Sequence, residues 1–228
     1  MDNRKICVYL YIPNGRYFFN TILAMTKIAT DTRTNILKTA LLLFLEKGYK
    51  DVSYQDLVKK TGLSKGAMYH YFASKEELLL AVFDLFSQSA NQPASIAPED
   101  LVTDYASFKK LYGDVKTGQL NDFKSFLGAD LVSFNWVLFC LEAIAANETL
   151  RVAIGELSKL EVKFLEKCFL GLEKHGNLPK GKDPALLAEC LYYLLEGAGL
   201  VMFLMEKKND EDFIALYDKN IDDFFKII

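Results

Sequence analysis

In residues 36–45 the apolar positions are Ile36, Leu37, Ala40, Leu41, Phe44 and Leu45. Their spacing alternates between one and three, which puts all six on one stripe of an α-helix. Asp31 and Thr32 are its candidate caps, and Gly48 supplies a left-handed stop. A second helix is predicted from Ser53, with Asp56 as capping-box partner and Leu57 and Val58 facing inward. Thr61-Gly62 ends it, and Ser64 caps a third helix that runs to Tyr71 or Phe72. That helix is too short to stand alone, so Met68 and Phe72 must face neighbours. Ser74 with Glu77 opens a fourth helix carrying Leu78, Leu79, Val82, Phe83, Leu85 and Phe86. Two short helices joined by a tight glycine turn form a helix-turn-helix pattern.

The helical reading continues to the end of the chain. Residues 89–100 read as a loop, followed by a helix over 99–112, breaks at Gly113 and Gly118, and a short helix over 120–127. Residues 129–146 are apolar all round, which predicts burial. A long amphipathic helix is expected over 148–175, then helices from Pro184 to about 206 and over 211–227. Strand alternation, dinucleotide-binding glycines and internal repeats do not occur. The expected fold class is all-α: an N-terminal three-helix domain with the helix-turn-helix over residues 27–80, then a helical bundle over 81–228.

Charge changes the picture. The net charge of −3 does not suggest a nucleic-acid binder, but it is unevenly placed. Residues 27–80 hold nine Lys/Arg against six Asp/Glu, and residues 81–228 hold fifteen against twenty-three. A mildly basic front and an acidic remainder fit regions with different partners. Cys7, Cys140, Cys168 and Cys190 lack metal-ligand spacing and fit a reducing cytoplasm, so no metal and no cofactor is expected. No run of 18 or more apolar residues exists, so no membrane partner is expected. Residues 1–26 read as an N-terminal extension without helical period, and Met25, followed by polar residues, as the native start.

The third helix carries the candidate chemistry. With Met68 and Phe72 inward, Lys65, Tyr69 and His70 lie outside, and Gly66 and Ala67 allow close approach. A short helix with a small, basic, hydrogen-bonding face fits a DNA major groove. The stretch 36–83, with its LF…GY segment, TGLSKG turn and YHYFASKEEL, resembles the N-terminal domain of TetR-family transcriptional regulators. The resemblance implies a three-helix DNA-binding domain followed by an all-helical effector and dimerisation domain. It implies operator contacts at Ser53 and Tyr54, at Ser64, Lys65, Gly66, Ala67, Tyr69 and His70 of the reading helix, and at Lys75. Tyr54 departs from the family pattern, where Thr is frequent.

The rear helices have two expected roles. A pocket for a small, largely apolar effector is expected among Tyr105, Phe108, Tyr112, Asn135, Trp136, Phe139, Glu142, Tyr193 and Glu196. A homodimer interface is expected at Gly197, Leu200, Phe203, Leu204, Phe213, Tyr217, Ile221 and Phe224. The expected function is a ligand-responsive regulator, most simply a repressor of a palindromic double-stranded DNA operator. An enzyme is the first rival, but the two histidines, His70 and His175, belong to no nucleophile, metal or phosphate motif, so no catalytic residue is expected. A helical protein that uses its turn motif on a protein partner is the second.

Overall fold

A computed structural model describes residues 32–89, 97–127, 134–204 and 210–228. The expected extension at 1–26, the Met25 start and the Asp31 cap lie outside the described residues. Among the described residues ten helices follow in order: α1 Thr32–Lys47, α2 Tyr54–Thr61, α3 Lys65–Tyr71, α4 Lys75–Ser89, α5 Pro98–Leu101, α6 Tyr105–Leu127, α7 Phe134–Ala146, α8 Glu148–Lys174, α9 Pro184–Leu204 and α10 Asp210–Ile227. The described residues form no strand, so the all-α expectation holds.

The front helices begin and end where their chemistry predicts. Ser53 accepts from the Asp56 N–H while the Asp56 carboxylate accepts from the Ser53 N–H. Hydrogen bonds from the Ser53 hydroxyl and N–H to this solvent-facing carboxyl lower its pKa to about 2. Ser64 accepts from the Ala67 N–H at 3.1 Å and starts α3. Gly62 ends α2 at φ +71°, a left-handed conformation that glycine adopts without steric cost. Ile36, Leu41, Leu57, Met68 and Leu78 are fully buried together, as the apolar stripes require.

The rear half departs from expectation in three places. The region expected as a helix over 99–112 is a short α5, a linker at Val102–Asp104, and then α6. Asp104 and Ser107 make the new start: Ser107 N–H donates to Asp104 Oδ1, and Ser107 Oγ accepts from the N–H of Thr103 and of Asp104. Gly113 and Gly118 do not break α6. A glycine inside a helix costs about 1 kcal/mol, and burial of Phe108, Tyr112 and Leu127 on the same helix outweighs it. Thirdly, α7 is not buried all round. Phe139 and Ala143 are buried but Leu141 is half exposed.

Two cores result. One joins α1–α4 to Leu127, to Phe139 and Ala143 of α7, and to Leu150 of α8. The Phe139 ring stacks on Phe44 and Phe83 with centroids 5.9 and 5.2 Å apart. The other joins α6, α8, α9 and α10 around Phe108, Leu165, Phe169, Leu191 and Ile221. The expected division at 80/81 falls inside α4, which continues unbroken to Ser89. Gly171 of α8 is needed for close packing, because a Cβ there would stand 2.5 Å from the Val102 carbonyl oxygen. The stretch Pro184–Met202 of α9 is apolar and long enough to cross a membrane by length and composition. Here it is one of the helices around the second core, with Ala188, Leu191 and Leu195 buried and a second apolar stripe outward.

Candidate nucleic-acid interface and effector region

The outer surface of α2 and α3 assembles most of the expected contact residues. Met68 is fully buried beneath α3, which turns Lys65, Gly66, Tyr69 and His70 outward. Ser53 and Ser64 are exposed at the two helix starts, and Ala67 is half-buried. Tyr54 and Tyr69 stack with centroids 4.6 Å apart and rings 11° from parallel. The Lys65 ammonium lies 5.9 Å from the centre of the Tyr69 ring. The face is a flat aromatic pair edged by a lysine, a histidine and the Ser64 hydroxyl, able to offer donors to phosphates and base edges, while the Ser53 hydroxyl donates to Asp56.

Two expected contacts have other work. The Tyr54 hydroxyl donates to the Phe72 carbonyl, which ties the start of α2 to the end of α3. Burial, followed by the neighbouring Tyr69 and Glu77, raises the Tyr54 pKa. Lys75 Nζ donates to the carbonyls of Tyr49, Lys50 and Val52 at 2.8, 3.3 and 2.9 Å. An ammonium has three hydrogens, so this side chain is committed inward. Burial lowers its pKa, and Glu142 and Asp51 pull the other way.

Of the nine expected effector residues, the seven whose side chains are described do not line one common site. Phe139 belongs to the front core, and Glu142 accepts from the Tyr49 N–H and, at 3.3 Å, from the Lys50 N–H. Phe108 is packed between Phe169 and Phe225. Tyr105 lies against Phe225 with its hydroxyl on Asp222. Tyr193 is 64% exposed on the outer side of α9. The side chains of Asn135 and Trp136 lie outside the described set. Scattering has a simple cause: helical spacing puts aromatics on a face, but only packing chooses what the face meets.

Tyr112 does belong to a polar group, with Lys116 of α6 and Glu161 of α8, and the exposed Glu196 of α9 lies within the field of that group. The buried Tyr112 hydroxyl donates to Glu161 at 3.1 Å, and Lys116 forms an ion pair with the same carboxylate. Lys116 also stands 5.4 Å from the Tyr112 ring centre. Glu196 keeps contact with solvent, yet burial and the Glu161 charge raise its pKa, with Lys116 opposing. The same two carboxylates raise the pKa of Tyr217, after burial. Sequence reasoning misses Lys116 and Glu161. Each looks like an ordinary helix residue, and their separation along the chain gives no pairing signal.

The expected dimer residues also divide. Gly197, Leu200 and Leu204 lie on the outward stripe of α9, with Leu186, Tyr193 and Val201. Tyr217, Ile221 and Phe224 are buried within their own chain's second core. The side chains of Phe203 and Phe213 lie outside the described set.

Known proteins share this arrangement. Residues 36–82 match the family model described as bacterial regulatory proteins, tetR family. The chain is 49% identical over 51 residues to the HTH-type transcriptional regulator YuxN of Bacillus subtilis. That match covers 22% of this chain and 18% of YuxN, so it speaks for the N-terminal helices alone. Over 183 residues it is 23% identical to the repressor DhaR of a Mycobacterium species, covering 80% of this chain and 88% of that one. The crystal structure of reduced Escherichia coli NemR superposes with a TM-score of 0.56 at 22% identity, covering 87% of this chain and 98% of NemR, and so shares the fold. With the helix-turn-helix, its outward face and the helix order all in place, residues 36–82 carry the N-terminal domain of the TetR family of transcriptional regulators, and the rest of the chain shares the fold of solved members.

Proposed function

We propose that this protein is a homodimeric, sequence-specific DNA-binding regulator, most simply a repressor, released from a palindromic operator by a small molecule. The observation that carries the reading is the orientation of α3. Met68 anchors it, and Lys65, Gly66, Tyr69 and His70 project from a helix short enough to enter one major groove. One such helix offers too little contact for tight specific binding, so a second copy is needed. The outward stripe of Leu186, Tyr193, Gly197, Leu200 and Leu204 on α9 supplies an apolar face for it. A two-fold pair then spans half-sites about 34–36 Å apart. A cytoplasmic location follows from a DNA target.

The effector reading shifts with the structure. The Tyr112–Lys116–Glu161–Glu196 group favours an amphipathic molecule with a polar anchor over a purely apolar one. Such a molecule releases DNA only if it binds the two dimer geometries with different affinity.

The test is selection of bound sequences from random duplexes with the purified full chain. The expected product is a palindrome whose affinity falls steeply with salt. Lys65→Ala should then weaken that site by about 1–3 kcal/mol and relax the base preference at one position per half-site. Selection of no sequence, or unchanged affinity in Lys65→Ala at fixed salt, overturns the assignment of the reading face.

A further inference from the structure

The turn between α1 and α2 is held from two sides by opposite charges. From α4, Lys75 takes the carbonyls of Tyr49, Lys50 and Val52, and its ammonium lies 4.3 Å from the centre of the Tyr49 ring. From α7, one carboxylate oxygen of Glu142 accepts from two successive amides, Tyr49 N–H and Lys50 N–H. Gly48 makes room. Its φ is +85°, and a Cβ there would stand 3.1 Å from that same oxygen. Charged acceptors on backbone amides are among the stronger hydrogen bonds, so this contact fixes the turn rather than decorating it.

The position of the turn gives the contact its consequence. Val52 is buried immediately before Ser53, and Ser53 caps α2, whose Tyr54 is tied to the end of α3. A displacement of Tyr49 and Lys50 is therefore passed to both reading helices. Meanwhile α7 reaches the other way. Phe139 packs it against the front core, while Cys140, one residue on, lies within the field of Glu196. A second link runs alongside, where Asn147 Nδ2 donates to Glu76 of α4 at 2.6 Å.

We propose that Glu142 is a positioning residue: its carboxylate carries a shift of α7 to the start of α2, and so sets the pose in which α2 and α3 meet DNA. The inference rests on the DNA-binding reading above. Phe139 supplies attachment by packing, which tolerates sliding. Glu142 supplies register, because two hydrogen bonds to one oxygen specify direction.

The experiment uses the full chain with Glu142→Ala, Glu142→Gln and, as a control on the same helix, Leu141→Ala, whose side chain is half exposed. Amide hydrogen exchange over residues 49–53 is measured without DNA. Affinity is measured for the duplex selected by the wild type and for a random duplex at the same salt. Glu142→Ala should speed exchange at Tyr49 and Lys50 by about tenfold or more. It should weaken the selected duplex by about fivefold or more, within the usual range of coupling between sites, and leave the random duplex unaffected. Glu142→Gln, an acceptor without the charge, should fall between, and Leu141→Ala should match the wild type. Unchanged exchange overturns the proposal, as does faster exchange with the selected duplex bound as before. Equal loss on both duplexes together with a lowered urea midpoint overturns it too, by reducing Glu142 to a structural role. A wild type that selects no duplex overturns the regulator reading and the positioning role together, which separates that failure from the others.

Discussion

The front core and the rear core are built from similar helices, yet they relate to their sequences differently. In α1–α4 each apolar stripe meets a neighbour close in the chain, and the two reading helices carry their own caps. In α6–α10 the partners are remote: Tyr105 meets Asp222 and Phe225, Tyr112 meets Glu161, and Gly171 meets Val102. Local pairing makes a region readable and also makes it nearly autonomous. Remote pairing makes a region depend on a few contacts that no local pattern announces. The exception teaches most. Phe139 and Glu142 belong to the rear half by sequence and to the front half by packing.

That contrast is most open to challenge at Phe139. Phe139→Ala should cost about 3–5 kcal/mol in urea unfolding, because it removes a fully buried ring from between Phe44 and Phe83. If the front core were autonomous, its signal would survive this change, and the loss would appear in the rear helices alone. Native-state hydrogen exchange in α1 and α4 decides between the two. Next in size is Gly171→Ala, expected to destabilise by about 1–3 kcal/mol through overpacking against the Val102 carbonyl. Exchange should rise in α5 and α8 and leave α1–α3 unchanged. A neutral result would mean that the Val102–Asp104 linker gives way freely.

The smallest effect concerns Glu196. Its folded pKa lies above the ordinary glutamate value of 4.5, so ionisation favours the unfolded chain. The penalty is absent where both states are protonated and grows as pH rises through the ordinary value toward the folded one. Glu196→Gln should therefore unfold at a higher temperature than the wild type at neutral pH, with the gap closing below about pH 4. A gap of constant size from about pH 3 to 7 would show that charge is not its source. Because Glu196 keeps solvent contact, screening holds the effect small.

How much of the molecule is legible in its sequence follows the same divide. Ser53, Ser64, Lys65, Gly66, Tyr69 and His70 stand on the expected surface because a short window decides which side of α3 faces Met68. At Lys75 the family resemblance implies an operator contact, and the ammonium closes a turn more than twenty residues earlier in the chain. The rear aromatics suggest one pocket, yet packing divides them. Phe108 goes to the second core, Tyr105 to the exposed edge beside Phe225, Phe139 to the first core and Tyr193 to the surface. Tyr217, Ile221 and Phe224 have the character of a partner surface and face inward.

The sequence by itself determined the front helices, their Ser53 and Ser64 caps, the glycine turn and which residues of α3 face outward. Each rests on interactions within a few residues, where spacing and geometry are the same thing. Only the tertiary structure decided where the long helices point their aromatics, that α6 runs through two glycines, and that Glu142 of a rear helix grips the turn that positions the reading head. Those outcomes depend on which distant surfaces meet, and burial is a property of the meeting surfaces rather than of either segment alone.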